Sequence, residues 1–383
     1  MVPAGTVLYT SRAPIGYTAI AAQSVCTNQG FKSLVPPDGV TSDYLYWYMR
    51  HATETVRSMA SGTTFPEVSG RAMAEVPIVI APTAEQVRIV AAIEEEFSRL
   101  DAGVAALDRV RHNLKRMRAT AYNAAVAGLM GSHTDDDSGG TPEGWETTTI
   151  GDLTTLITSG SRGWAQFYAE SGPFFLRAQN IRFGRLRLED KAYVQLPPGS
   201  EGTRTRVSIH DLVIVITGAG VTNPALVDHD LGETYVSQHV GLIRLKDPTL
   251  ATWLLVWLMA SDGGRSELTR RAYGAGKPGL NLDNLRTLPI AIPPDAKREA
   301  VLARLQTTID GCTCAEMELN GSYRQTNRLR ASILAAAFSG TLVPQDPSDE
   351  PATVLLERVA AERASSNGHK PARTRKTRAK VPA

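Results

Sequence analysis

The chain has 383 residues, 42% of them hydrophobic and 21% charged, with a formal net charge of +2. That is enough for an ordinary core in two or three domains, and any basic surface must be local rather than global. Three cysteines, Cys26, Cys312 and Cys314, are too few for a disulfide framework and fit a reducing cytoplasm. The start lacks a basic stretch followed by an apolar run, and the run Trp253 to Ala260 is far short of the ~20 residues a membrane span needs. The expectation is a soluble, cytoplasmic protein with no membrane partner.

Residues 1–76 read as short strands and turns and then a helix. Thr6 to Tyr9 is β-prone, and turns follow at Ala13–Gly16 and Pro36-Pro37. Ser42 is placed to cap a helix from Asp43 to about Ala60, carrying Tyr44, Trp47 and Tyr48. Pro77 to Pro82 is expected to be extended, because proline cannot enter a helix interior. Thr83 then caps a helix to about Ala127, with Glu85 and Gln86 in its first turn. Residues 131–143 read as a Gly/Ser/Asp-rich linker. A second β-rich segment opens at Gly144-Trp145. Its strands are expected at Phe174–Leu176, Leu212–Thr217 and Tyr235–Leu245, with a helix at Thr249–Met259 and a Gly/Lys loop at Tyr273–Gly279. A second proline-led long helix follows, then a short amphipathic helix at Ala352–Ala361. Residues 365–383 are basic and of low complexity, which predicts disorder.

The stretch Pro77–Leu129 recurs as Pro289–Thr341, at a constant offset of 212 and without a gap. Pro77, Ile78, Ile80, Pro82, Arg116, Arg118, Ala124, Ala125 and Gly128 are among the residues that meet their own kind in the second copy. An internal repeat of this kind fixes architecture. Val90, Ile93, Phe97, Leu100, Val104 and Leu107 alternate in steps of three and four. The copy places Leu302, Leu305, Ile309, Cys312, Glu316 and Leu319 there, which is coiled-coil spacing. Two helices packed on each other is the economical arrangement; two unrelated amphipathic core helices is the alternative. A looser echo links Gly5–Tyr9 to Asp211–Val215, Asn28-Gln29-Gly30 to Ser237-Gln238-His239, and Tyr44–Trp47 to Leu254–Trp257. The expected fold class is α+β, with two β-rich domains, the first partial, joined by two long helices in a pseudo-twofold repeat. The segments are 1–76, 77–130, 131–143, 144–288, 289–342, 343–364 and 365–383.

Catalytic signatures are absent. Gly274-Ala275-Gly276-Lys277 has the wrong spacing for a phosphate-binding loop, and neither His-Glu-x-x-His nor Gly-x-Ser-x-Gly occurs. Asn223-Pro224-Ala225-Leu226 lacks the second proline and the aromatic of an amino-methyltransferase loop, and reads as a turn. Cys312 and Cys314 have no second Cys/His pair nearby, and read as packing. Polar and basic residues gather instead on Gly-rich loops. The candidate DNA contacts are Arg162, Trp164, Arg177, Asn180, Arg182, Thr217, Gln238, His239, Tyr273 and Lys277, with Ser11, Arg12 and Gln29 in the first segment. Arginine and lysine can read guanine, and asparagine and glutamine can read adenine. For any one of them a turn or surface role is an equal reading.

Four stretches carry a family resemblance. They are Val76–Gln86 with its copy from Leu288, the helix endings at Gly128 and Gly340, Thr141–Trp145 with Ile150–Leu153, and Leu342–Pro347 with Glu350–Ala352. Together they resemble the specificity subunit of type I restriction-modification systems. The resemblance implies two target-recognition domains, each reading one half of a split sequence in double-stranded DNA, and an antiparallel helix pair that sets the gap. It implies methyltransferase subunits docked about Pro77, Pro82, Glu85, Gln86, Pro289, Pro293 and Pro294, and restriction subunits joining them. It implies no catalysis by this chain, so that S-adenosylmethionine, ATP and Mg2+ serve the partners. Residues 144–210 have little counterpart before Gly5. The first recognition domain is therefore expected to be truncated, to start further upstream, or to be completed by another chain. The competing reading is a coiled-coil assembly scaffold without DNA specificity of its own; a third is an enzyme with an unrecognised site.

Overall fold

A computed structural model describes residues 1–62, 65–128, 144–182, 184–197, 204–274, 276 and 278–367. The expected linker at 131–143, Lys277 and the tail from residue 368 lie outside the described residues. The chain runs through β1 (Val7–Thr10), β2 (Thr18–Ile20), β3 (Phe31–Leu34), α1 (Ser42–His51), α2 (Thr53–Ser58), α3 (Gly70–Ala74) and α4 (Thr83–Val126). Then come β4 (Glu146–Thr149), α5 (Ile150–Leu153), β5 (Thr154–Ser159), β6 (Tyr168–Leu176), β7 (Ile181–Arg182), β8 (Arg185–Leu186) and β9 (Tyr193–Val194). It continues with β10 (Leu212–Val215), β11 (Pro224–Leu226), β12 (Thr234–Val236), β13 (Val240–Leu245), α6 (Ala251–Met259), α7 (Ser266–Arg271), α8 (Leu282–Arg286), β14 (Pro289–Ile292), α9 (Asp295–Phe338) and α10 (Ala352–Asn367).

These elements form two compact units. Unit 1 is Met1–Asp108 with Leu319–Ala383, and unit 2 is Arg109–Glu318. The sequence segments gave each long helix a region of its own; in the structure each long helix is shared between the units.

Unit 1 holds the antiparallel sheet β2-β1-β3. Helix α1 is capped by Thr41 rather than Ser42, its hydroxyl accepting from Tyr44 N at 3.2 Å. The single helix expected to Ala60 breaks at Ala52, where ψ is 0° and Thr53 Oγ1 bonds back to Met49 O at 3.0 Å. One face of α1 buries Tyr44, Trp47 and Tyr48 among Ile89, Ile93 and Phe97 of α4 and Phe338 of α9. Trp47–Phe97 and Tyr48–Phe338 meet edge to face, with centroids 4.9 Å apart in each pair. Arg88 pairs with Asp349 at 2.6 Å, fastening the segment that leads into α10.

Unit 2 holds the sheet β11-β10-β13-β5, the sheet β12-β6-β9 and the pairs β14-β4 and β7-β8. The run Tyr235–Leu245, expected as one strand, is two, because a turn at Ser237–His239 separates β12 from β13. Trp253 of α6 is wholly buried, in a core with Val301, Leu305 and Ile309 of α9 and Ala121, Ala125 and Val126 of α4.

The repeat is structural as well as sequential. Helices α4 and α9 are each 44 residues, about 66 Å at 1.5 Å per residue. Both are followed by a left-handed glycine, Gly128 at φ 73° and Gly340 at φ 77°, the conformation that ends a helix. The helices pack antiparallel within each unit. In unit 1 Arg330 pairs with Asp101, and Tyr323 donates to Asp108. In unit 2 Arg118 reaches Glu316 and Thr313, each at 3.0 Å. Moved by the repeat offset, Asp101 becomes Thr313 and Arg118 becomes Arg330, so the two contacts are copies of each other. The seam is less apolar than its spacing suggests. Leu100, Val104 and Leu107 are only half-buried, because a bare helix pair cannot enclose them. Cys312 and Leu319 are buried near the middle of α9, and the remaining buried positions lie toward the ends, where β-rich elements pack on the pair.

The repeat begins earlier than Pro77. Helices α3 and α8 also differ by 212, and Ser69 and Asn281 cap them, accepting from Ala72 N and Asn284 N. Tyr44 and Tyr48 donate to the carbonyls of Val79 and Pro77, at 2.9 and 2.8 Å. Trp253 and Trp257 donate to those of Ala291 and Pro289, at 2.8 and 2.9 Å. Tyr44 therefore answers to Trp253, one position away from the Leu254 expected from the echo. The strands correct the same way. Ser11 N bonds Gly30 O and Val68 N bonds Ser11 O, as Ile216 N bonds His239 O and Leu280 N bonds Ile216 O. Val7 thus answers to Leu212 rather than Val213, while Gly30 answers to His239 as expected.

Candidate nucleic-acid interface

One end of the β11-β10-β13-β5 sheet brings together Arg162, Arg177, Thr217, Gln238, His239 and Tyr273 of the expected contacts. Strand β5 ends there and leads into Ser161–Trp164. The turn Ser237–His239 enters β13 there, and Ile216 N bonds His239 O at 2.9 Å. Gly218 N bonds Pro278 O at 2.9 Å, which brings in the loop Tyr273–Gly279. Gly160 makes the approach possible: a Cβ on it would lie 2.1 Å from Val236 O.

Between these loops lies a cavity of about 360 Å³. Its lining includes Ser161, Trp164, Arg177, Gln179, Ser237, Gln238 and His239. Gln238 Nε2 and His239 Nε2 are 3.2 Å apart, both side chains exposed at its rim. Arg177 Nη2 is held 3.1 Å from Asp190 Oδ1, and Gln179 donates to the same carboxylate. Ser237 is 5% exposed, and its Oγ has no hydrogen-bond partner among the described residues; neither has Arg177 Nε. Buried polar atoms normally find partners in the protein or in ordered water. Arg162 and Tyr273 are exposed nearby, and Thr217 is half-buried next to Gly218.

Other expected contacts stand elsewhere. Trp164, expected as a reading surface, is 6% exposed and lies in a small core, stacked on Phe175 at 5.6 Å and edge-on to Tyr235. Asn180 is 1% exposed, and its amide donates to Arg187 O and Asp190 O while its Oδ1 accepts from Arg177 N. It closes a loop rather than facing DNA. Arg182 sits on the β7-β8 hairpin, whose Arg185 reaches Thr313 of α9. In unit 1, Ser11 is wholly buried, donating to Gly30 O and accepting from Lys32 Nζ at 2.9 Å. Arg12 is 4.0 Å from Glu67, and Gln29 is exposed.

The expected docking residues divide likewise. Gln86 is wholly buried, donating to Gly39 O and Ala81 O and accepting from Thr41 N. Glu85 and Pro293 are buried too. These three are committed within their own units, because the turn before each long helix folds back on its β-rich domain. Thr83 Oγ1 does not cap α4, which begins at that residue; it donates to Gly39 O at 2.8 Å. Pro77, Pro289 and Pro294 are exposed and Pro82 is half-buried.

Two residues not among the expected contacts join this end of the sheet. Ser237 is one. The other is Arg265, which donates to Asn223 Oδ1 at 3.1 Å across the turn between β10 and β11. Burial lowers its pKa from the ordinary arginine value. Among the described residues no cluster of His, Cys, Asp and Glu is placed to hold a metal, and no helix is long and apolar enough to cross a membrane.

Each unit packs β-rich elements on the antiparallel helix pair, and unit 2 gathers polar loops at one end of its sheet. Residues 1–102 match the family model described as type I restriction modification DNA specificity domain. The chain is 30% identical over 185 residues to the type I restriction enzyme MjaIX specificity subunit of Methanocaldococcus jannaschii, covering 47% of this chain and 43% of that protein. It is 23% identical over 376 residues to the EcoBI specificity subunit of Escherichia coli, covering 93% of this chain and 78% of that one. A chain from a structure described as the structural basis of complex assembly and conformational transition of the type I R-M system superposes with a TM-score of 0.65. That match has 17% identity and covers 89% of this chain and 83% of the other. Over nearly its whole length the chain is similar to type I restriction-modification specificity subunits.

Proposed function

We propose that this chain is the non-catalytic, sequence-reading subunit of a type I restriction-modification complex. It reads double-stranded DNA and directs adenine methylation and cleavage by partner methyltransferase and restriction subunits. The observation that carries the reading is the polar loop cluster at one end of the β10 sheet, where Arg177, Gln179, Ser237, Gln238 and His239 line one cavity. Donors and acceptors fixed on a rigid sheet end are what base-edge readout needs. Unit 1 offers a smaller set, Arg12, Gln29 and Lys32. The helix pair is the spacer between two half-sites, matching the local twofold symmetry of duplex DNA. S-adenosylmethionine, ATP and Mg2+ are used by the partners.

Co-expression with a type I methyltransferase subunit, followed by mapping of modified adenines, tests this. A bipartite motif is expected; a complex that assembles and modifies nothing would falsify it. Deleting Asp101–Leu107 together with the facing Arg324–Arg330 shortens the spacer by about 10 Å, roughly three base pairs, and should narrow the gap with both half-motifs intact. An unchanged gap removes the spacer role.

A further inference from the structure

We infer that Arg265 and the turn between β10 and β11 hold a phosphate of the DNA backbone, beside the loops that read its bases. Arg265 stands on the kinked segment between α6 and α7. Its N–H donates to Ala260 O at 3.1 Å and its carbonyl accepts from Thr269 Oγ1 at 2.8 Å, so its backbone is fixed from both sides. Its Nη2 donates to Asn223 Oδ1 at 3.1 Å, which carries the guanidinium across to the end of the turn.

What sets Arg265 apart is its partner. Arg118, Arg177, Arg244 and Arg271 of unit 2 are also half-buried, and each pairs with a carboxylate at 3.1 Å or less. Arg265 is half-buried and bonds an amide; among the described residues no carboxylate pairs with it. Asp262, three residues before it, meets Ser261 Oγ instead. A cation taken partly out of water without a counter-charge recovers its lost solvation from an incoming anion.

The turn supplies the rest of the cradle. Gly218 and Thr222 take positive φ, 100° and 73°, and between them the N–H groups of Ala219 and Gly220 have no acceptor among the described residues. Gly220 lies on the amide that meets Arg265, since a Cβ on it would be 3.4 Å from Asn223 Nδ2. A guanidinium beside open backbone N–H groups suits phosphate oxygens. Unit 1 crosses its own turn differently. Tyr9 pairs with Thr18 as Ile214 pairs with Pro224, so the two turns correspond. There Arg57 donates to Ile15 O at 3.1 and 3.3 Å, and Glu54 pairs with it at 2.7 Å. Arg57 is a strut with its charge matched; Arg265 keeps its charge unmatched. The inference rests on the DNA reading of this end.

The test is the salt dependence of DNA binding by the chain in complex with its co-expressed methyltransferase subunit. The probes are a duplex carrying the mapped motif and a scrambled duplex. Arg265→Gln keeps a donor toward Asn223 and removes the charge. It should weaken binding by the same factor on both duplexes and reduce the slope of log affinity against log salt by about one, the share of one phosphate. Asn223→Asp leaves Arg265 in place and pairs it internally, so it should reduce the slope at least as much without lowering the melting temperature. Arg57→Gln should leave the slope as it is. An unchanged slope in either variant that folds overturns the inference, as does a loss confined to the motif duplex. So does an equal change in Arg57→Gln, which would make the effect one of net charge. A wild-type complex that binds neither duplex removes the DNA reading itself, and the inference with it.

Discussion

Units 1 and 2 share one skeleton from Val68 and Leu280 onward and differ in what lies on it. Each has a short helix capped by Ser69 or Asn281, an extended proline-led stretch whose carbonyls are taken by two aromatic donors one turn apart, and a 44-residue helix. Unit 1 uses tyrosines for those donors and unit 2 tryptophans. Unit 2 adds strands β4 and β5 over the same ground, with a second sheet beyond them. The shared part carries the helix pair; the part that differs carries the polar loops around the cavity.

The sharpest way to break the comparison is at the aromatic donors. Trp253→Ala removes a wholly buried ring that also packs edge-on against Trp145, and should cost unit 2 about 3–5 kcal/mol in denaturant unfolding. Tyr44→Phe removes only the bond to Val79 O and should cost unit 1 about 1 kcal/mol. Burial pushes the Tyr44 pKa up to about 12, so the phenol remains a donor throughout the neutral range. Equal losses for the two variants would mean that the donors are not equivalent parts of two differently covered cores.

Next in size is Asp211, which is 1% exposed and accepts from Arg244 Nε at 2.8 Å and from Ser208 N at 2.7 Å. Its counterpart in unit 1 is Thr6, bonded to Pro3 O. Asp211→Asn should destabilise unit 2 by about 2 kcal/mol, since Arg244 is left without its charge partner but is partly solvated. Thr6→Val should do much less. Calorimetry of both variants decides whether unit 2 alone depends on a buried charge.

The helix pair sets a smaller scale. Asp101→Ala in unit 1 and Arg118→Ala in unit 2 disrupt equivalent contacts, and each should cost at most about 1 kcal/mol because the side chains are partly exposed. A loss several times larger in one of them would contradict the equivalence.

The smallest effect is with pH. Hydroxyl and backbone hydrogen bonds from Thr149 hold Asp152 below the ordinary value of 3.8, and those from Thr249 and Ser348 do the same for Asp247 and Asp346. A lowered folded pKa means that the stabilisation is present above that ordinary value and is lost as pH falls through the lowered one. Two of these groups lie in unit 2 and one in unit 1. Acid titration of melting should therefore weaken unit 2 more below about pH 4, and Asp152→Asn with Asp247→Asn should flatten its curve.

Much of this was legible in the sequence. The gap-free offset predicted the two helices and their glycine ends, and the family resemblance implied that they pair antiparallel. The looser echo in the β-rich parts came out one residue off, at Tyr44 and at Val7. Short strands and a single helix turn carry too little pattern to fix register, and a one-residue slip exchanges the faces of a strand. The polar loops were legible as a region, and the burial of their individual side chains was not. Trp164 and Asn180 look like reading groups by type, yet tertiary packing buries them, whereas Ser237 carries no signal beyond its position in a turn.

The central claim is that the loop end of unit 2 reads one half of a split target. The most direct measurement is adenine-methylation mapping of a co-expressed complex carrying Gln238→Ala and His239→Ala. The prediction is that one half of the motif relaxes while the other half and the gap between them stay as they are. A motif unchanged in both halves, from a complex that still methylates, would contradict it.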